Sequence, residues 1–360
     1  MSTPTRAAYG AGVVTAAELD GTALLTEMLG IDSPSGAEAE LARFLQRRLA
    51  SLGFDVHVDD VGNVHAAWGS GDVAVALVGH LDTAPGRVAV RRDGRLLHGR
   101  GAVDAKGPLA AALTAVSRLP RDGGRRWLVI GAVEEEASSR GARHLAATMP
   151  APQGLVILEP SGWQGITIGY KGSVRVRWSR RQPASHGAGQ EPSAGDRALA
   201  FVRRLQDHAA AWSGDAGIFQ RWDVRVLHMA SRSDGLEDRA QVEIGMRVPP
   251  ACSSAEARQV VLALAGEGDV EVLYADEAVR TDRSSPLARR FVRAVRAAGG
   301  SPRFKLKTGT SDLNHLVPAW GCPALAYGPG DSHLDHTPDE RIDLDEFERG
   351  VGVLESALAA

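Results

Sequence analysis

Short apolar runs that end on an acidic or imidazole side chain recur along this chain. Val73–Val78 leads into His80, Trp127–Val133 into Glu134, Glu135 and Glu136, and Leu155–Leu158 into Glu159. Pro323–Tyr327 is followed, one loop later, by His333 and His336. Apolar runs of this kind read as strands buried on both faces, as in a parallel sheet. In an open α/β sheet, ligands gather at the carboxyl ends of the strands. A single fold rule therefore brings polar groups far apart in sequence to one sheet edge.

Helical patterns separate these runs. Asp20 can cap a helix carrying Leu24, Leu25 and Met28, and Leu41, Phe44, Leu45, Leu49 and Leu52 form one stripe over Ala37–Leu52. Gly107–Leu119 is a second, small and apolar helix. The alternation predicts an α/β fold built on a doubly wound, mostly parallel sheet. From Ile166 to Arg180 the pattern instead alternates, as in a half-exposed strand. Further strands are expected over Trp222–Val226, Ala240–Val248 and Val270–Tyr274, with helices over Ala198–Ala211 and Ala255–Ala265, the latter capped by Ser254. These elements predict a smaller α+β domain, an antiparallel sheet plus two helices, at 168–280. It is inserted into a larger, parallel-sheet domain of 1–167 and 281–360, to which helix Pro286–Ala298 returns. Residues 1–19 read as a loose extension.

Composition removes several function classes. The net charge of −3 offers no global field for nucleic acid or membrane, and no nucleic-acid motif is found. No apolar stretch reaches the roughly 18 residues of a membrane helix. No basic start with an apolar segment marks secretion, so a cytoplasmic location is expected. Cys252 and Cys322 are too few for a disulfide framework or a thiolate metal site and read as inert thiols.

Each polar cluster has a plain and a chemical reading. His80 can be a zinc ligand with Asp82 as the partner of its second nitrogen, or a satisfied strand-end histidine. Asp104 stands before a helix and is either an N-cap or a carboxylate bridging two cations. Three adjacent glutamates, 134 to 136, repel one another unless a cation is near, and their register is open. Glu159 is a ligand or part of an acidic turn, and His333 and His336 leave a choice between them. Together the carboxylates suit two divalent ions, whose charge they would offset in a low-dielectric cleft.

The full set resembles the zinc-dependent aminoacylase and carboxypeptidase family, which includes acetylornithine deacetylase and succinyl-diaminopimelate desuccinylase. The likeness rests on Gly79-His80-Leu81-Asp82, Gly101-Ala102-Val103-Asp104-Ala105-Lys106-Gly107 and the paired glutamates, and it covers nearly the whole chain after about residue 20. Glu159-Pro160-Ser161-Gly162-Trp163, Gly169-Tyr170-Lys171-Gly172, the Lys307–Asn314 segment and His336-Thr337-Pro338-Asp339-Glu340 look most like members that hydrolyse carrier protein–lysine.

The resemblance implies two zinc ions, with cobalt or manganese as substitutes. His80 and Glu159 would hold one ion, Glu136 and His336 the other, and Asp104 would bridge them beside a cis Asp104–Ala105 bond. Glu135 would be the general acid–base and Asp82 the partner of His80. Gly141 then stands at the family's spacing from the glutamates, and Thr337-Pro338-Asp339-Glu340 favours His336 over His333. His186, in Ala184-Ser185-His186-Gly187, would donate to the oxyanion, often from a neighbouring subunit; its plain reading is a surface-loop histidine. Arg247 is expected on a substrate carboxylate or on a solvated strand, and Lys307, Thr308, Gly309, Thr310 and Ser311 line the pocket. Arg175, Arg177, Arg180, Arg181, Arg197, Arg203 and Arg204 are either a dock for an acidic amino-group carrier protein bearing lysine or ornithine, or a solvated surface. The implied reaction is amide hydrolysis releasing lysine, with deacetylation of N-acetyl-lysine or N-acetylornithine as the alternative. A homodimer through the inserted domain is expected; a scaffold without activity is the reading from another class.

Overall fold

The computed structural model describes residues 19–184, 186 and 190–360. The extension expected over 1–19 therefore lies, save Leu19, outside the described residues, as do Ser185 and Gly187. Nine strands form the larger sheet. At its centre Arg126–Ala132, Val73–His80, Leu155–Ile157 and Ala324–Ala326 run parallel in that order. Asp55–Val58 and Val64–Gly69 extend one side antiparallel. On the other side Gly165–Tyr170 pairs with Val279–Arg280 and, in parallel, with Arg303–Lys307.

Strand alternation sends side chains to two cores. Val75 and Leu77 pack with helices Gly21–Leu29, Ala39–Ser51, Lys106–Ser117, Pro286–Ala297 and Leu344–Ala359. Ala76 and Val78 face helices Arg140–Thr148 and Leu313–Trp320. Helices on both faces make the sheet doubly wound, as the apolar runs require. Helix Lys106–Ser117 is buried along nearly its whole length, and its alanines 110 to 112 allow that close packing.

A separate antiparallel sheet has the order Asp223–Ser233, Glu237–Val248, Gly172–Pro183, Asp269–Asp276. Its inner residues Val174, Val176, Trp178, Val242, Ile244 and Met246 pack under helices Ala194–Ser213 and Ser254–Leu264. Each helix begins with a reciprocal cap, Ser193 with Asp196 and Ser253 with Glu256. Such a cap is worth about 1 kcal/mol. The helix start expected at Ser254 is thus one residue earlier, because only Ser253 has a glutamate three residues on.

One expected strand is in fact two. Ile166–Arg180 splits at Lys171 into Gly165–Tyr170 in the large sheet and Gly172–Pro183 in the small one. The buried Lys171 ammonium donates to the Arg221 carbonyl (2.7 Å) and pairs with Asp223 (2.5 Å), which fixes the crossing. A Cβ on Gly172 would stand 2.6 Å from the Asp276 carbonyl oxygen, so only glycine fits there. Residues 168 and 280 consequently lie inside strands of the large sheet, and the chain changes sheets at Lys171 and near Glu277. The buried Asn314 amide donates to the carbonyls of both crossings, Lys171 (3.0 Å) and Glu277 (2.7 Å).

Candidate metal centre

His80 ends its strand at the carboxyl edge of the parallel sheet and is 1% exposed. Its Nδ1 lies 2.8 Å from the Asp82 carbonyl oxygen and 3.4 Å from the Asp82 carboxylate. That leaves Nε2 facing Asp104 Oδ1 at 3.0 Å and Glu159 Oε1 at 3.8 Å. On the other side, His336 Nε2 lies 3.1 Å from Asp104 Oδ2 and 2.7 Å from Glu136 Oε1. Asp104 thus turns one oxygen to each of two donor groups. It does not cap the following helix, whose N-cap is Ala105 without a side-chain bond. The Asp104–Ala105 peptide is cis.

Among the described residues, three groups have donor atoms within 4.8 Å of one another: His80 with Asp104 and Glu159, Asp104 with Glu136 and His336, and His80 with Glu135 and Glu136. The other two candidates point elsewhere. Glu134 accepts from Ser138 (2.5 Å) and Arg140 (2.8 Å), away from His80. The His333 side chain is 92% exposed and bonds Asp331. The carboxylate of Asp82 accepts the backbone N–H groups of Glu135 and Glu136, each at 3.0 Å, and the Ser35 hydroxyl. The expected partnership with His80 is therefore carried mainly by the Asp82 carbonyl, while its carboxylate aims the glutamate loop.

The electrostatics ask for cations. Burial, and then the neighbouring Asp104 charge, pushes Glu159 up to about 8. Burial does the same to Glu135, which is held well above the usual carboxylate range. Burial opposes a charged His80, yet its bonds to Asp104 and Asp82 hold it well above an ordinary imidazole. Carboxylates crowded in this way, with imidazole nitrogens between them, are the chemistry of a divalent oxygen-and-nitrogen site. The donor set therefore fits metal.

These groups open onto a cleft of about 1090 Å³ that also carries Lys307, Thr308, Gly309, Thr310 and Arg247. Arg247 Nη1 donates to Thr310 Oγ1 at 3.1 Å, joining the small sheet to the pocket loop. Ser311 stands behind that loop, buried, with its hydroxyl accepting from Leu313 N at a helix start. His186 is exposed and is not among the residues lining the cleft. The arginine strip is partly neutralised: Arg175 and Arg177 pair with Glu243, and Arg180 and Arg197 with Glu267. Asp335 was not expected in the cleft; its buried Oδ1 finds no partner among the described residues, and burial raises it to about 8. Its place beside His336 in the sequence was the available signal.

The parallel sheet, the donor cluster at its edge and the second sheet across the cleft together define a metallohydrolase. Residues 76–360 match the model of Peptidase family M20/M25/M40, and the chain belongs to that family. It is 45% identical over 345 residues to the LysW-lysine hydrolase of Deinococcus radiodurans, covering 93% of this chain and 95% of that one. It is 36% identical to a putative LysW-lysine/LysW-ornithine hydrolase of Pyrococcus abyssi, over 93% and 92% of the two chains. A tripeptidase from Staphylococcus aureus shares the fold, with a TM-score of 0.78, 18% identity, and coverage of 95% and 98%.

Proposed function

We propose that this chain hydrolyses the amide bond joining lysine, and also ornithine, to an amino-group carrier protein in amino-acid biosynthesis, with two zinc ions at its centre. The observation that carries the reading is one carboxylate, Asp104, facing two donor groups at the floor of a cleft. Similarity to enzymes named for carrier-linked lysine selects the substrate class. The cleft volume of about 1090 Å³ exceeds what one amino acid fills and leaves room for the end of a carrier chain.

His80 and Glu159 would hold one ion, Glu136 and His336 the second, with Asp104 between them. When bound, the metal supplies Lewis acidity to the amide carbonyl and to water. Glu135 takes a proton from the attacking water at its carboxylate and passes it to the leaving amine. Arg247 holds a substrate carboxylate through its planar guanidinium. Thr310 orients that guanidinium. The antiparallel sheet and its two helices, between Gly172 and Asp276, act as a lid. The lid's edge strand Asp223–Ser233, with Val226 and Leu227 exposed, suits pairing with a second copy. Such pairing would bring His186 from the partner to the oxyanion. Free Cys252 and Cys322 agree with a cytoplasmic enzyme, and no described helix is long and apolar enough to cross a membrane.

The test is a substrate panel with metal analysis on the same sample. Carrier-linked lysine is expected to be cleaved faster than N-acetylornithine and N-acetyl-lysine; fast cleavage of the acetyl compounds alone rejects the carrier assignment. A second expected outcome concerns His186. Its replacement by alanine lowers kcat by about 10²–10³-fold, the usual cost of an oxyanion donor, at unchanged metal content. Unaltered turnover removes His186 from the mechanism.

A further inference from the structure

The last residue of His336-Thr337-Pro338-Asp339-Glu340 has no part in the chemistry above. Glu340 is fully buried, 0% exposed, and does not line the cleft. Its Oε1 accepts three backbone N–H groups, from Gly101 (3.0 Å), Val103 (3.0 Å) and Asp104 (3.1 Å). Its Oε2 accepts from Arg100 Nη1 at 2.7 Å. The same guanidinium donates to the Thr337 and Gly86 carbonyls, and Gly99 N donates to the Glu340 carbonyl.

We infer that Glu340 is the positioning residue for the shared carboxylate: it fixes the Gly101–Asp104 turn so that both Asp104 oxygens are presented, and ties that turn to the loop bearing His336. Three peptide dipoles converging on one carboxylate oxygen set the orientation of the turn they belong to. With the Asp104 N–H held at Glu340, the Asp104 side chain is directed to the opposite side, between His80 and His336. The two loops are 236 positions apart in sequence, and one buried side chain holds them together. Gly101, at φ 88°, supplies the left-handed residue that the turn requires.

The inference rests on the metal-centre reading, and one experiment separates the two. Full-length wild type and Glu340→Gln are stripped of metal and titrated with Co²⁺, following the visible cobalt absorption. Glutamine keeps the size but loses an acceptor on one side of the group, either toward Arg100 or toward the three N–H groups. Binding at least ten-fold weaker with an altered cobalt spectrum, at wild-type circular dichroism, is the expected result; outer partners of metal ligands commonly act over about 10–100-fold. In the cobalt-loaded enzyme, kcat falls while KM for carrier-linked lysine changes little. Wild-type affinity and spectrum in Glu340→Gln overturn the role of Glu340 while leaving the metal centre standing. A wild type that takes up no Co²⁺ removes both. If Glu340→Gln does not fold, Arg100→Gln decides: weaker cobalt binding supports the role, and unchanged binding overturns it.

Discussion

Chelation is expected to abolish hydrolysis, and two equivalents of Zn²⁺ or Co²⁺ are expected to restore it. The chain's own groups give the reason. Asp104, Glu136 and Glu159 converge with His80 and His336, and without cations the crowding of their buried charges is unfavourable. Binding that is specific for the folded state adds stability, about 2.7 kcal/mol per site at a metal concentration of 100 Kd. Two sites then raise the thermal midpoint by roughly 10 °C, taking about 2 °C per kcal/mol for domains of this size. The metal-free protein also has a characteristic pH response. Glu159 is raised from 4.5 to about 8 on folding and Asp335 from 3.8 to about 8, so the folded state binds more protons between those limits. Stability of the stripped protein therefore falls as pH rises from about 5 to about 8, and added metal removes the slope. Calorimetry with and without chelator across that range checks both statements. Equal midpoints, with activity untouched by chelation, would falsify the metal centre.

Glu135→Gln is expected to lower kcat by about 10²–10⁴-fold with metal content and KM little changed. That is the usual contribution of a positioned general base. Glutamine preserves the shape of the side chain and the backbone bond to Asp82 but can take no proton. Metal analysis matters here because Glu135 also lies within ligand distance of His80 and Glu136. A variant that loses metal along with turnover makes Glu135 a ligand. One that keeps both removes it from the reaction. The pH profile of the residual activity is expected to lose the limb that belongs to this carboxyl.

Much of the architecture was legible because burial leaves a mark on composition. Val73–Val78, Trp127–Val133 and Leu155–Leu158 could only be strands covered on both faces, and they form the middle of the sheet. The stripe of Leu41, Leu45 and Leu49 placed a helix on one side. The Asp20 cap also came out as expected, accepting from Ala23 N. Boundaries were less legible. The change of sheet at Lys171 leaves no break in the alternation, because the residues on either side satisfy the same period in different sheets. Helix Leu344–Ala359 carries a weak local signal, since Gly350 and Gly352 interrupt it. Gly350 is there for packing: a Cβ would lie 2.8 Å from Pro329.

At the site, residue type and strand position nominated the donors, while orientation chose among them. Glu134, Glu135 and Glu136 are identical in composition and adjacent, and no pattern separates them. Tertiary bonds from Asp82 to the 135 and 136 backbones, and from Ser138 and Arg140 to Glu134, do so. His336, at φ 61°, turns inward to Asp104 and Glu136 while His333 points to solvent. The arginine strip shows the reverse case: composition suggested free positive charge, and pairing with Glu243 on the neighbouring strand and Glu267 in a turn offsets part of it.

By itself, then, the sequence determined a buried parallel sheet with acidic and imidazole groups at its carboxyl edge, because apolar runs and turn residues are local properties. Only the tertiary structure decided which oxygens and nitrogens meet, since that depends on backbone N–H groups from remote segments. Glu340 and Asp82 accept backbone N–H groups from loops that no local pattern connects to them.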